Sequence, residues 1–194
     1  HFRASFPEND LAENYASGEP PLRSELFSAD PMEQHGKILA GLHQLSPRQA
    51  PDQLLSRLAE NEDVLIGVRD LLAEAVKANR RITPAGEWLL DNFYLIEEQI
   101  RTAKRHLPKG YSRELPRILN GSTVGLPRVY DLALETISHG DGRVDPGSLS
   151  SFVAAYQTIT GLTLGELWAI PIMLRLALIE NLRRVVVRII ADRI

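Results

Sequence analysis

The chain has 194 residues, 44% of them apolar, and a formal net charge of −3. That suffices for one or two domains with a core, and it argues against disorder throughout and against a general pull toward nucleic acid or anionic lipid. There is no cysteine, which excludes disulfides, thiol nucleophiles and thiolate metal sites and fits a cytosolic setting.

The chain begins at His1 rather than Met, which reads as a piece of a longer protein. No signal peptide is visible. The longest apolar run, over 167–174, is interrupted by Arg175 and falls well short of the roughly 18 residues that a spanning helix needs. Residues 1–30 carry six acidic side chains (Glu8, Asp10, Glu13, Glu19, Glu25, Asp30) against Arg3 and Arg23. Pro7, Pro20 and Pro21 break any long helix there, so an extended acidic arm is expected, its apolar residues Phe2, Phe6, Tyr15 and Phe27 laid against the body.

From Asp30 the chain reads as helical. Asp30 followed by Pro31 is a cap and a first-turn proline, and this helix should run to about Leu45, ahead of Pro47. A second stretch opens near Pro51 and Asp52, with apolar residues at helical spacing from Leu54 to Val76; Asn61 is read as a cap that divides it. Thr83 and Pro84 repeat the device before a helix that ends ahead of Pro108. The span 109–125 holds Pro116, Gly121 and Gly125 and reads as a loop with one short helix.

Residues 126–139 are helical, 139–147 form a turn, and Asp145 with Pro146 opens a helix to about Thr160. Thr163 and Glu166 make a capping box in front of the last helix, in which Pro171 is a place to bend. Sustained alternation and hairpin dipeptides are missing, so few strands are expected. The sequence therefore predicts an all-α, irregular helical bundle: an arm over 1–30, a helical segment over 31–81 and a bundle over 82–194 that ends in an amphipathic helix. Trp88 and Trp168 are expected to be largely buried.

Several groups carry chemistry of interest. Asp131, Glu135 and His139 share a helix face at i, i+4 and i+8, a spacing that can hold a metal; a polar face, with His139 favoured at the negative helix end, is the competing and preferred reading. Glu87, Asp91, Tyr94 and Glu98 also share a face. Paired carboxylates there can do acid–base work on a sugar, but acidic residues in a first turn stabilise a helix without chemistry. A basic run (Arg101, Lys104, Arg105, Lys109, Arg113, Arg117) reads as a solvated face or a docking patch; no nucleic-acid motif accompanies it.

Arg183, Arg184, Arg188 and Arg193 follow a strongly apolar helix, as in a terminal helix or a lead-in to a membrane region. That helix holds more apolar surface than one face needs, so weak self-association through Val186 and Ile190 is expected. No phosphate loop, nucleophile elbow or HExxH occurs, and no catalytic residue or cofactor is assigned.

Three blocks, "ITPAGEWLLDNFYLIEEQIR" (82–101), "LPRVYDLALETISHGDGRVDPGSL" (126–149) and "TLGELWAIPIMLRLALIENLRR" (163–184), resemble the amino-terminal region of bacterial cyclic β-1,2-glucan synthases. In that family the whole enzyme is a large inner-membrane protein that builds cyclic glucan from UDP-glucose. The acidic metal-binding and Gln-x-x-Arg-Trp motifs of such glucosyltransferases do not occur here, so no family catalytic residue carries over. The resemblance implies a helical, non-catalytic module on the cytoplasmic side of the membrane, partnered by the remaining domains of a parent enzyme. An independent helical protein that binds sugar or metal is the alternative. The interaction surface expected from sequence comprises Arg105, Arg113, Arg117, Arg183, Arg184, Val186 and Ile190.

Overall fold

The computed structural model describes residues 29–46, 48, 51–107 and 110–191; the arm expected over 1–30 falls almost wholly outside them, as do Lys109 and Arg193. Six helices account for most of the described residues: α1 (Ala29–Leu42), α2 (Leu54–Lys77), α3 (Pro84–His106), α4 (Arg128–His139), α5 (Pro146–Gln157) and α6 (Leu164–Ala191). The strands among the described residues are two short ones, β1 (Leu45–Ser46) and β2 (Arg117–Ile118), paired antiparallel with Leu45 opposite Ile118. The all-α class expected from sequence is the one observed.

The helix starts are chemically explicit. Thr83 Oγ1 accepts the Gly86 amide at 3.1 Å, and Asp145 Oδ2 accepts that of Ser148 at 2.9 Å; each has a proline in its first turn. The capping box forms in both directions: the Glu166 amide donates to Thr163 Oγ1 at 3.2 Å, and the Thr163 amide donates to Glu166 Oε1 at 2.9 Å. Helix α2 closes on Asn79 in the left-handed region (φ 55°), with the Arg80 amide reaching back to the Ala75 carbonyl and the Asn79 amide to that of Val76, the six-to-one and five-to-two pattern of a Schellman end.

Several details differ from the sequence reading. Helix α1 ends at Leu42, short of the expected Leu45, which lies in β1. Asn61 does not divide a helix: α2 is continuous, Asn61 lies within it and is buried, and the stripe Leu54, Leu58, Leu65, Val68, Leu72 runs through without a break. The span before α4 holds no short helix among its described residues. The Ile118 amide bonds to the Leu126 carbonyl, Gly125 to that of Ile118, and Leu119 to that of Gln44, so pairing between separate segments of the chain takes the backbone groups that a helix would use. Helix α5 ends at Gln157, earlier than expected.

Two apolar clusters meet at α4. The larger gathers Leu58, Leu65 and Val68 of α2, Phe93, Ile96 and Ile100 of α3, Val129, Tyr130 and Ile137 of α4, and Met173, Leu176 and Val186 of α6. The smaller joins Met32 and Leu39 of α1, Leu132 of α4, and Phe152 and Tyr156 of α5. Gly36 brings α1 close to α5: a Cβ there would lie 2.8 Å from the Phe152 carbonyl oxygen. Helix α4 is buried on nearly every side, so each of its polar side chains must find a protein partner.

Helix α6 packs against α2, α3 and α4. Part of its surplus of apolar residues is thereby absorbed, Leu176, Ile179, Val186 and Val187 all being buried, whereas Leu178 is exposed and Val185 and Ile189 are half-buried. The expectation for the tryptophans is overturned: Trp88 is 54% exposed and Trp168 73% exposed. The buried stripe of α3 follows Gly86, Leu89, Phe93 and Ile96, and that of α6 follows Glu166, Ala169, Ile172 and Met173. Trp88 and Trp168 each sit one step before a buried residue of these stripes, Leu89 and Ala169, on a helix that turns about 100° per residue.

Candidate functional site

The seam between α1 and α4 holds the sequence-predicted trio and divides it. Glu135 and His139, one turn apart on α4, are met from α1 by His35, whose Nε2 lies 2.8 Å from Glu135 Oε2. His139 Nε2 lies 3.2 Å from the same oxygen. The two imidazoles stand edge to face with centroids 4.4 Å apart, and His35 stacks on Phe152 at 5.9 Å. One donor atom from each of His35, Glu135 and His139 falls within 4.8 Å of the other two. Burial alone would raise the Glu135 pKa, but hydrogen bonds from His139 and His35 outweigh it and hold the carboxyl below its usual range.

Asp131 belongs to a different set. His43, just beyond the end of α1, places Nε2 2.6 Å from Asp131 Oδ2 and Nδ1 2.8 Å from the Tyr156 hydroxyl. Thr123 donates to Asp131 Oδ1 at 3.1 Å. Both nitrogens of His43 and both oxygens of Asp131 are therefore engaged inside the protein, and burial, the leading effect, raises the pKa of Tyr156. This arrangement ties α1, α4 and α5 together. The sequence could not show it, because His35 and His43 lie about a hundred residues from their partners and carry no local pattern.

Two further buried carboxylates are held by cations. Glu166, fully buried, is gripped bidentately by Arg128, Nε to Oε2 at 2.6 Å and Nη2 to Oε1 at 2.7 Å; Arg128 also donates to Thr160 Oγ1 and to the Gly161 carbonyl. Glu180, also fully buried, accepts from Arg57 and from the Tyr130 hydroxyl, with Arg184 at 3.3 Å. Burial would raise Glu180, yet its hydrogen bond and charge pairing with Arg57 lower it on balance, whereas Tyr130 is pushed well up, first by burial and then by Glu180.

The expected interaction surface is not one surface. Arg105 and Arg113 are exposed. Arg117, Arg184 and Val186 are buried, at 3%, 7% and 5% exposure, and Ile190 packs partly buried against the larger core. Arg184 and Val186 serve the interior because α6 is covered on three sides, Arg117 is buried on β2, and Ile190 also borders the groove described next. Of the acidic face on α3, Glu87, Asp91, Tyr94 and Glu98 are exposed. An apolar groove the sequence did not reveal lies where α3 starts beside the second half of α6, lined by Leu72, Ala85, Trp88, Leu182, Val185 and Ile189 among others. No helix among the described residues is long and apolar enough to cross a membrane.

No family model matches the chain. The chain is 38% identical over 174 residues to the cyclic β-(1,2)-glucan synthase NdvB of Rhizobium meliloti (strain 1021), a match that takes in 89% of this chain and 6% of that protein. The match is longer than the blocks over 82–184, so it reaches well into the segment before Ile82, which none of the three blocks includes. The resemblance to a bacterial cyclic β-1,2-glucan synthase thus holds across most of the chain, which corresponds to a small part of such a protein.

Proposed function

We propose that the chain is a non-catalytic helical module of a cyclic β-1,2-glucan synthase, serving to dock or brace the rest of an enzyme that makes cyclic glucan from UDP-glucose beside the inner membrane on its cytoplasmic side. The observation that carries this reading is the groove between α3 and α6. Trp88, more than half exposed on its rim, is a large amphipathic side chain of the kind that anchors interfaces. The occupant is the remainder of the synthase, because the chain spans only 6% of the related protein and most of that polypeptide lies outside it. The buried carboxylates Asp131, Glu166 and Glu180 are all taken up by internal partners, which supports a bracing role over chemistry.

The test uses Trp88 as its own reporter, in a Trp168→Phe background, with the remainder of the synthase prepared without this segment. Association should shift Trp88 emission to the blue, and Trp88→Asp should abolish co-purification. A shift produced by raising the concentration of the chain alone would mean that a second copy fills the groove, and no shift in either case would leave the docking role without support; both outcomes refute the assignment. The isolated chain should release no glucose or UDP from UDP-glucose with magnesium or manganese. Turnover that a point substitution in this chain removes would overturn the non-catalytic reading.

A further inference from the structure

The seam between α1 and α4 contains two histidine–carboxylate sets of different character. Around His43 every ring nitrogen and carboxylate oxygen has a short partner within the protein. Around Glu135 one oxygen, Oε2, is shared by the Nε2 atoms of two imidazoles. Both rings aim a nitrogen at the same point, and all three residues sit on helices, which fix direction better than loops do.

We propose that His35, Glu135 and His139 form a binding site for a divalent transition-metal ion of the zinc class, joining α1 to α4. Two imidazoles and one carboxylate are the donor set such ions take, and residues at i and i+4 on a helix chelate from one face. Tetrahedral coordination at zinc–ligand lengths sets donor atoms about 3.4 Å apart. The two histidine nitrogens stand 2.8 and 3.2 Å from Glu135 Oε2, and no pair of donors exceeds 4.8 Å. An ion therefore requires that the glutamate withdraw from both nitrogens by a few tenths of an ångström and that the widest donor pair, at up to 4.8 Å, close toward that spacing by turning the imidazoles.

Access is provided as well. The His139 side chain is 6% exposed, but those of His35 and Glu135 are 26% and 31% exposed. The inner ligand is thus walled in, while the outer two border solvent, from which an ion enters and a water completes the fourth position. Stacking of His35 on Phe152 and the close approach at Gly36 hold the α1 ligand in place. The ion would clip α1 onto α4 between positions 100 residues apart in sequence. This inference is independent of the docking role: an occupied site is compatible with either fate of the groove.

The test is titration of the chelator-stripped chain with Co²⁺, a visible probe for zinc sites, followed by displacement with Zn²⁺. The expected result is a d–d absorption band of four-coordinate intensity saturating at about one ion per chain and lost on adding Zn²⁺. Glu135→Gln, His139→Asn and His35→Gln should each reduce the band by more than tenfold at fixed Co²⁺, with the far-UV circular dichroism unchanged. His43→Asn, which disturbs the neighbouring set, should leave it intact. His35→Gln, at the partly exposed ligand, keeps the test decisive if a more buried variant fails to fold. The absence of any band, or a band that survives both His35→Gln and Glu135→Gln, would overturn the site and leave a histidine–carboxylate bridge.

Discussion

The Arg128–Glu166 pair offers the sharpest energetic test. Both side chains are almost wholly inaccessible, at 4% and 0% exposure, and Nε stands 2.6 Å from Oε2. Glu166 has a second duty, since its Oε1 accepts the Thr163 amide and caps α6. Glu166→Ala removes the anion and leaves the guanidinium buried with Thr160, the Gly161 carbonyl and the Tyr156 ring but no carboxylate. Stranding one partner of a buried pair costs about 3–5 kcal/mol, and loss of the reciprocal cap adds about 1 kcal/mol. Arg128→Met alone strands the carboxylate but spares the cap, so it should cost about 3–5 kcal/mol.

The double variant Arg128→Met, Glu166→Ala removes both charges. It should cost clearly less than the sum of the singles, with a coupling of about 2–3 kcal/mol. Urea unfolding followed by circular dichroism gives all three values, provided the slope m is shared among the variants. Additive costs, or a Glu166→Ala cost below about 1 kcal/mol, would show that the pair behaves as a solvated surface bridge and that the packing of α4 on α6 does not depend on it.

Acid should destabilise the fold through Glu180. Its folded pKa is lowered from the ordinary 4.5, so the stability it contributes is present above that value and is lost as pH falls through the lower folded pKa; Glu180→Gln should be less stable at neutral pH yet lose less on acidification below about pH 4.5, read from urea midpoints across pH. Glu135 is lowered in the same sense, so part of the acid sensitivity should persist in that variant. Gly36→Ala sets a methyl 2.8 Å from the Phe152 carbonyl oxygen and should cost about 1–3 kcal/mol, although alanine favours a helix by about 1 kcal/mol; a stabilised variant would refute the close approach of α1 and α5. Trp168→Ala should change stability by less than about 0.5 kcal/mol, whereas Phe152→Ala should cost about 3–5 kcal/mol. Equal costs in thermal melts would contradict the burial assigned to each.

What the sequence by itself determined is local. Thr83, Asp145 and the Thr163–Glu166 box signal their helix starts because a cap is a bond between neighbours in the chain, and the prolines behind Thr83 and Asp145 fix the first turn whatever the rest of the protein does. The stripe from Leu54 to Leu72 likewise shows one buried face. The resemblance to the glucan synthase was legible because whole blocks recur in order. What only the tertiary structure decided is where the faces go.

Trp88 and Trp168 lie on helices that look apolar, yet the core takes the residues beside them, since a helix buries only the arc its neighbours cover. Arg184 and Val186 read as surface because nothing in their own segment revealed that α6 is flanked by α2, α3 and α4, and Arg117 because nothing near it revealed that β2 pairs with β1. The trio Asp131, Glu135 and His139 was found by helical spacing, but its division into two sets was not. His35 and His43 come from another helix and choose their partners through the antiparallel seam of α1 with α4. Spacing along a chain encodes a face, whereas the identity of what meets that face depends on packing between helices far apart in sequence.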